Sequence, residues 1–161
     1  MSLEEDREWM ILAYQTALKM SEDHSTQNGA VLVRKNTLVH LGANRLPNRI
    51  HKYPGRYVRP QKYLFTEHAE RVVILRARQD VTGCIMYCPF IACADCARAI
   101  ILSGIYEVVG HQPQMDALSD HWKDSIRAGL DMLEEAEIPV RFISGDLGIK
   151  KILFDGKVVN R

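Results

Sequence analysis

The stretch CPFIACADC, residues 88 to 96, packs three of the chain's four cysteines into nine positions. Cys93 and Cys96 have the C-x-x-C spacing that serves both zinc sites and redox dithiols. On a helix they stand at i and i+3, so both sulfurs lie on one face of its first turn. The partial positive charge of a helix N-terminus favours thiolates there. Two thiolates leave a metal short of ligands. The segment TEHAE, residues 66 to 70, supplies a candidate, because His68 also falls at a helix start that follows a loop. His68, Cys93 and Cys96 make three protein ligands and leave one tetrahedral corner open. Structural zinc sites close all four corners and catalytic sites keep one for water, so the count points to a catalytic metal.

Glu70 stands two residues after His68. It need not point at the metal to reach a water held there. Zinc lowers the pKa of such a water from about 15.7 to about 7. A carboxylate beside it can take the proton and deliver it to substrate and leaving group. That arrangement suits hydrolysis at an amidine-like carbon. Two other readings compete with it: a redox dithiol, and a closed structural site with Cys84 or Cys88 as fourth ligand. Cys84 and Cys88 fall inside an apolar strand segment, where a buried cysteine behaves as a small hydrophobe.

The surrounding pattern predicts how these residues are carried. Apolar residues recur at helical spacing from Leu3 to Lys19, and residues 29–33 and 37–42 read as a β-hairpin. A long irregular stretch, 44–65, follows, and loops of that length tend to be functional. Residues 67–78 then read as helix, 84–90 as a buried strand, and 93–104 as a helix closed by Gly104. A strand at 105–110, a helix over 119–137 and a strand at 138–143 complete the alternation. Asp155-Gly156 sits between two apolar runs as a hairpin turn. A hairpin followed by strand–helix alternation predicts an α/β fold, a three-layer α/β/α sandwich with a mixed sheet whose later strands are parallel. The chain's 161 residues suggest one domain, 1–161, and its 47% apolar and 25% charged residues are an ordinary globular balance. No apolar run approaches a membrane span, and the acidic N-terminus is unlike a signal peptide. A soluble cytoplasmic protein is expected.

H-x-E followed by C-x-x-C is similar to the signature of zinc nucleobase deaminases. The wider sequence resembles the deoxycytidylate (dCMP) deaminases. The matching segments are SEDHSTQNGA (21–30), GANR with LPN (42–48), TGCIMYCPFIACADCARAIILSGIYEV (82–108) and SDHWKDS (119–125). Together they cover residues 9 to 143 and leave 144–161 outside as a C-terminal extension. The resemblance implies a cytidine-deaminase-like fold, Zn2+ on His68, Cys93 and Cys96, and Glu70 as proton shuttle. The implied reaction converts dCMP and water to dUMP and ammonia. Asn44 would contact the sugar, the backbone around Ala69 would read the polar edge of the base, and Trp122 would stack on the pyrimidine. Ser25 and Asn28 are further candidates for sugar or phosphate contacts. Asn44 also reads as a turn residue, and Trp122 as part of a helix's core stripe.

The chain departs from the family pattern at Ala92, where a proline normally precedes the first metal cysteine. It departs again at Ala43 and Arg45, in a loop that helps bind triphosphate regulators (dCTP, dTTP) in several members. Residues 111–118 look like an insertion. A homo-oligomer is expected from the resemblance alone. From His24 to Thr66 there is no acidic residue, while Arg34, Lys35, Arg45, Arg49, Lys52, Arg56, Arg59 and Lys62 are basic. Such a run is a solvated face, a phosphate reader for a nucleotide, or a track for nucleic acid. The nucleotide is preferred over nucleic acid, because the dCMP-type segments extend well beyond the metal motif. The remaining alternatives are another cytidine-type or nucleic-acid-editing deaminase, and a zinc-binding module without turnover. The histidines at 24, 40, 51, 111 and 121 read as surface or turn residues.

Overall fold

Residues along β1 (Gly29–Arg34) point by turns into two cores: Ala30 and Leu32 into one, Val31 and Val33 into the other. The same alternation separates Met86 from Tyr87 on β3 (Ile85–Tyr87), and Val108 from Val109 on β4 (Glu107–His111). A strand's side chains alternate between faces, so three strands apolar on both sides demand cover on both sides. The computed structural model describes residues 2–161 and shows that cover. α1 (Leu3–Met20) lies on one face with Met10, Ala13, Tyr14 and Ala17 buried. α3 (Ala69–Arg76) and α4 (Ala94–Leu102) lie on the other, and α6 (Asp120–Glu135) packs on α4. The three-layer α/β/α sandwich is therefore as expected.

The main sheet has five strands in the order β2-β1-β3-β4-β5, with β2 at Thr37–Ala43 and β5 at Val140–Ile143. β1 runs antiparallel to both β2 and β3, while β3, β4 and β5 are parallel. All strands but β1 therefore end at the same edge. Gly104 has φ +71°, the left-handed conformation of a helix C-cap, and turns the chain from α4 toward β4. Short helices α2 (Lys62–Phe65) and α5 (Gln112–Met115) lie in the connections. The C-terminal hairpin forms as expected, with β6 (Ile152–Phe154) and β7 (Lys157–Val159) paired only with each other. No helix among the described residues is long and apolar enough to cross a membrane.

Two buried polar groups tie the α1 layer to the sheet. Asp6, 2% exposed, accepts hydrogen bonds from the Tyr87 hydroxyl at 2.6 Å and from Arg141 at 2.7 and 3.1 Å. His111 is fully buried, which corrects its reading as a surface or turn residue. Its Nδ1 meets the Tyr14 hydroxyl at 2.6 Å and its Nε2 the Gly145 carbonyl at 2.9 Å. Both ring nitrogens are satisfied by groups distant in sequence, so the ring tolerates burial.

Burial raises the Asp6 carboxyl's pKa, but the hydrogen bonds from Arg141 and Tyr87 outweigh it and hold the group below its ordinary value. A depressed carboxyl contributes stability above its unfolded pKa, about 3.9, and loses it as pH falls through the folded value. Asp6→Asn leaves Arg141 with Glu107 as its one remaining acid among the described residues and costs about 1.5–3 kcal/mol at pH 7. Urea unfolding of both proteins is expected to show that gap at pH 7 and a narrower one below about pH 4.

Candidate active site

The pocket forms where β2 and β3 end and β1 begins. A long loop leaves β2, and an isolated bridge closes its base: Arg45 and Glu67 exchange backbone hydrogen bonds of 3.0 and 2.8 Å. That closure delivers His68 as the N-cap residue of α3. The chain leaving β3 turns through residues 88–92 and enters α4 with Cys93 as N-cap. Two helix N-termini thus converge on one spot. α6 holds the second of them in place, since the Ser125 hydroxyl accepts from the Ala94 amide at 3.2 Å. Gly129 lets α6 come this close: a Cβ there would stand 2.3 Å from the Ala92 carbonyl oxygen. Ala92 carries no proline ring, and α6 supplies the helix entry with support from outside.

His68 Nδ1 lies 3.4 Å from Cys93 Sγ and 3.5 Å from Cys96 Sγ, and the sulfurs are 3.5 Å apart. Around a tetrahedral zinc with ordinary bond lengths, such donors stand about 3.6–3.8 Å from one another. The triangle is a few tenths of an ångström tighter than that, so the ion fits once the three donors spread slightly. Among the described residues this is the only His/Cys/Asp/Glu group so arranged. Cys84 and Cys88 are buried elsewhere in the core. Protonation follows the geometry. The hydrogen bond from Cys96 brings the Cys93 thiol down to about 4 against its burial, with His68 helping. The same hydrogen bond, with burial, pushes Cys96 well above the ordinary thiol range. Without a cation the pair keeps one proton.

Glu70, 2% exposed, sits in the first turn of α3 beside this group. Burial pushes its carboxyl up to about 7; the His68 charge opposes this and the Cys93 thiolate adds to it. Its Oε2 is buried without a hydrogen-bond partner among the described residues. A buried carboxylate oxygen left unpaired costs stability unless something fills its lone pairs. Here the neighbouring space is the pocket itself.

That pocket encloses about 580 Å³ of empty space, part of it open to solvent. His68, Ala69, Glu70, Cys93 and Trp122 line it, as do Asn28 and Asn44. Trp122 stands edge-on to His68 at 5.5 Å and to Tyr63 at 5.7 Å between ring centres, while also packing on the core. Asn44 accepts from the Ser21 hydroxyl at 2.6 Å and the Asn28 amide at 3.1 Å, and donates to the Thr26 carbonyl at 2.6 Å. One amide hydrogen is left over. Asn28 donates to Cys88 Sγ at 3.2 Å and to the Phe90 carbonyl at 2.9 Å, and accepts from the Phe90 amide at 3.3 Å, which makes it a brace between β1 and the turn before α4. Ser25 is not among the lining residues; its hydroxyl donates to Asp23 at 3.0 Å and accepts from Lys62 at 2.5 Å.

Tyr63, Phe90 and the buried pair Lys62–Asp23 also line the pocket, and none was singled out from sequence as a site residue. Lys62 carried a signal as a member of the basic run. The run itself is largely neutralised by acids from outside it: Arg45 and Lys52 by Glu22, Arg59 by Asp155, Lys62 by Asp23 and Arg34 by Asp80.

The family described as the cytidine and deoxycytidylate deaminase zinc-binding region matches residues 3–112. The chain belongs to this family. It is 35% identical over 127 residues to an uncharacterized deaminase of the luxG 3′ region in Aliivibrio fischeri, covering 79% of this chain and 86% of that one. Human deoxycytidylate deaminase is 34% identical over 128 residues, 74% of this chain and 67% of that one. The fold is similar to that of the dCMP deaminase from cyanophage S-TIM5, with TM-score 0.67 and 21% identity over 89% of this chain and 100% of that one. Like the other members, this deaminase-family chain is a zinc-binding one, with one histidine and two cysteines positioned for the ion.

Because Cys96 keeps a proton that a metal must displace, zinc binding releases it. Calorimetry in buffers of different ionisation enthalpy is expected to show that release, with affinity falling at least about tenfold per pH unit on acidification through neutrality, where a protonated His68 must also give up its proton. Gly129→Ala forces α6 away from the Cys93 turn. Zinc retention against a chelator is expected to drop in that variant while the sheet's far-ultraviolet signature persists.

Proposed function

We propose that the chain hydrolytically deaminates dCMP to dUMP and ammonia, with zinc held by His68, Cys93 and Cys96 and with Glu70 moving the protons. The observation that carries this reading is the Glu70 carboxyl, which lines the pocket beside three metal-type donors and has one buried oxygen without a hydrogen-bond partner among the described residues. When bound, zinc supplies the Lewis acidity that makes a water nucleophilic near neutral pH. Glu70 takes a proton from that water as its oxygen bonds to C4 of the cytosine, and returns the proton to N3. It then takes the second proton, from the hydroxyl now on C4, and passes it to the exocyclic amine; the C4–N bond breaks, and ammonia leaves as C4 becomes a carbonyl. A carboxyl lifted toward neutrality by burial is suited to giving as well as taking protons.

The other lining groups support a cytosine in this orientation. The first amide of α3, at Ala69, has no acceptor within its own helix, and helix N-termini favour partial negative charge such as a base carbonyl. Trp122 puts an aromatic ring at the pocket wall, and Asn44 keeps one amide hydrogen for a sugar hydroxyl. Asn28 and Ser25 act through the walls they hold rather than by direct contact. The nucleotide substrate rests on the relatives named deoxycytidylate deaminase.

One observation favours a second reading, deamination of a cytidine-type compound without phosphate. Lys62 is the lining cation, and its ammonium already meets Asp23 at 3.1 and 2.8 Å and Ser25 at 2.5 Å. Three donors meet three acceptors, which leaves none for a phosphate.

Ammonia release from zinc-loaded protein is the test, with dCMP, deoxycytidine, dCTP and a cytosine-containing oligonucleotide side by side. Turnover of dCMP above the others supports the first reading, deoxycytidine the second, and the oligonucleotide an editing enzyme. Glu70→Gln is expected to keep its zinc and lose about 10²–10⁴-fold in kcat. Loss of the metal in that variant overturns the placement of Glu70 outside the ligand set.

A further inference from the structure

We infer that the tip of the C-terminal hairpin, residues 154–156, is a positioning element for the substrate pocket. It backs three pocket-lining residues that come from three separate segments of the chain: Thr26, Tyr63 and Phe90. The Asp155 amide donates to the Thr26 hydroxyl at 3.2 Å. The Phe154 ring meets the Phe90 ring edge-on, with centres 5.3 Å apart. The Asp155 carboxylate pairs with Arg59, which also interacts with Tyr63. Tyr63 in turn stands edge-on to Trp122.

Backbone contacts fix the tip against the wall. Gly156 donates to the Ser25 carbonyl at 2.8 Å, and Gln27 donates to the Leu153 carbonyl at 2.8 Å. The Leu153 amide returns a bond of 2.9 Å to the Gln27 side chain. The turn itself is set by consecutive left-handed residues, Asp155 at φ 49° and Gly156 at φ 77°, the pattern of a tight hairpin turn. Residues 23–28 have no regular structure of their own, so their order depends on such contacts. Among the described residues the contacts of 153–156 reach the pocket walls and not His68, Cys93 or Cys96. Disturbing the tip therefore loosens substrate binding and leaves the metal and the proton transfers alone.

This inference rests on the proposed deamination for its kinetic readout, and a second readout is independent of it. The variants are Phe154→Ala, Asp155→Asn and the double. Asparagine tolerates the left-handed backbone, so Asp155→Asn removes the Arg59 ion pair and keeps the turn. With the substrate that wild type turns over, the double variant is expected to raise KM about fivefold or more and to keep kcat within about twofold, the signature of lost uniform binding. Zinc content stays at the wild-type level. In parallel, the Trp122 indole N–H resonance is expected to move. Trp9, whose indole donates to Asn36 at 2.9 Å on α1, serves as control and stays put. Unchanged KM with an unmoved Trp122 resonance overturns the inference. So does a joint loss of kcat, zinc and the Trp9 position, which marks general unfolding. If wild type is silent on every cytosine compound, the proposed function fails, and the Trp122 and Trp9 resonances alone decide whether the tip positions the pocket.

Discussion

The convergence of two helix N-termini on the edge of the sheet is the constraint from which the site follows. α3 and α4 each begin there, one with His68 as its N-cap and the other with Cys93. Their first turns bring two sulfurs, an imidazole and the Glu70 carboxyl into a volume closed to most of the solvent. In the absence of a cation that group is poorly balanced. One thiol must hold its proton, the carboxyl is driven upward, and one carboxylate oxygen has no partner among the described residues. A divalent ion and its water relieve all three conditions at once. The same burial that makes the site costly when empty makes its electrostatics strong when filled.

The pocket walls meet a different demand. They are loops, and loops order themselves only through the contacts they make. Here each wall is pinned by side chains that bond to backbone. Asp23 accepts from the Ser25 and Thr26 amides at 2.8 and 3.1 Å and also holds Lys62. Asn28 and Asn44 join β1 to the turn before α4 and to the end of β2. The hairpin tip closes the set from outside. Polar residues around the pocket therefore divide into those that line it and those that hold the lining ones.

What was legible in the sequence was what is local. The α1 periodicity, the first hairpin, the Gly104 cap and the Asp155-Gly156 turn each involve neighbours along the chain, and each formed as read. The metal triangle was legible although His68 and the cysteines lie far apart, because both halves carry their own spacing signature at a helix start. Pairings without such a signature were not legible. His111 reads as a surface residue until Tyr14 and Gly145 are found around it. The basic run reads as a free cationic patch until Glu22, Asp23 and Asp155 fold over to meet it. Phe154 meets Phe90 through a contact that no spacing announces. Periodicity reports which face a residue takes, and says nothing of which distant residue waits there.

The neutralised run changes what the pocket can ask of a substrate. A phosphate reaching Lys62 must displace Asp23, and opening a buried ion pair costs about 3–5 kcal/mol. New charge-assisted hydrogen bonds to phosphate return about 1.5–3 kcal/mol each. Two such bonds only break even, so a phosphate at that position adds little affinity while the Asp23 carboxylate stands uncompensated. Discrimination between nucleotide and nucleoside then falls to cations at the rim, where solvent screening weakens each contact. In the proposed reaction the metal, the carboxyl and the aromatic wall meet only the pyrimidine. On that proposal the chemistry at C4 and the choice of phosphate fall to different residues, and either can change without the other.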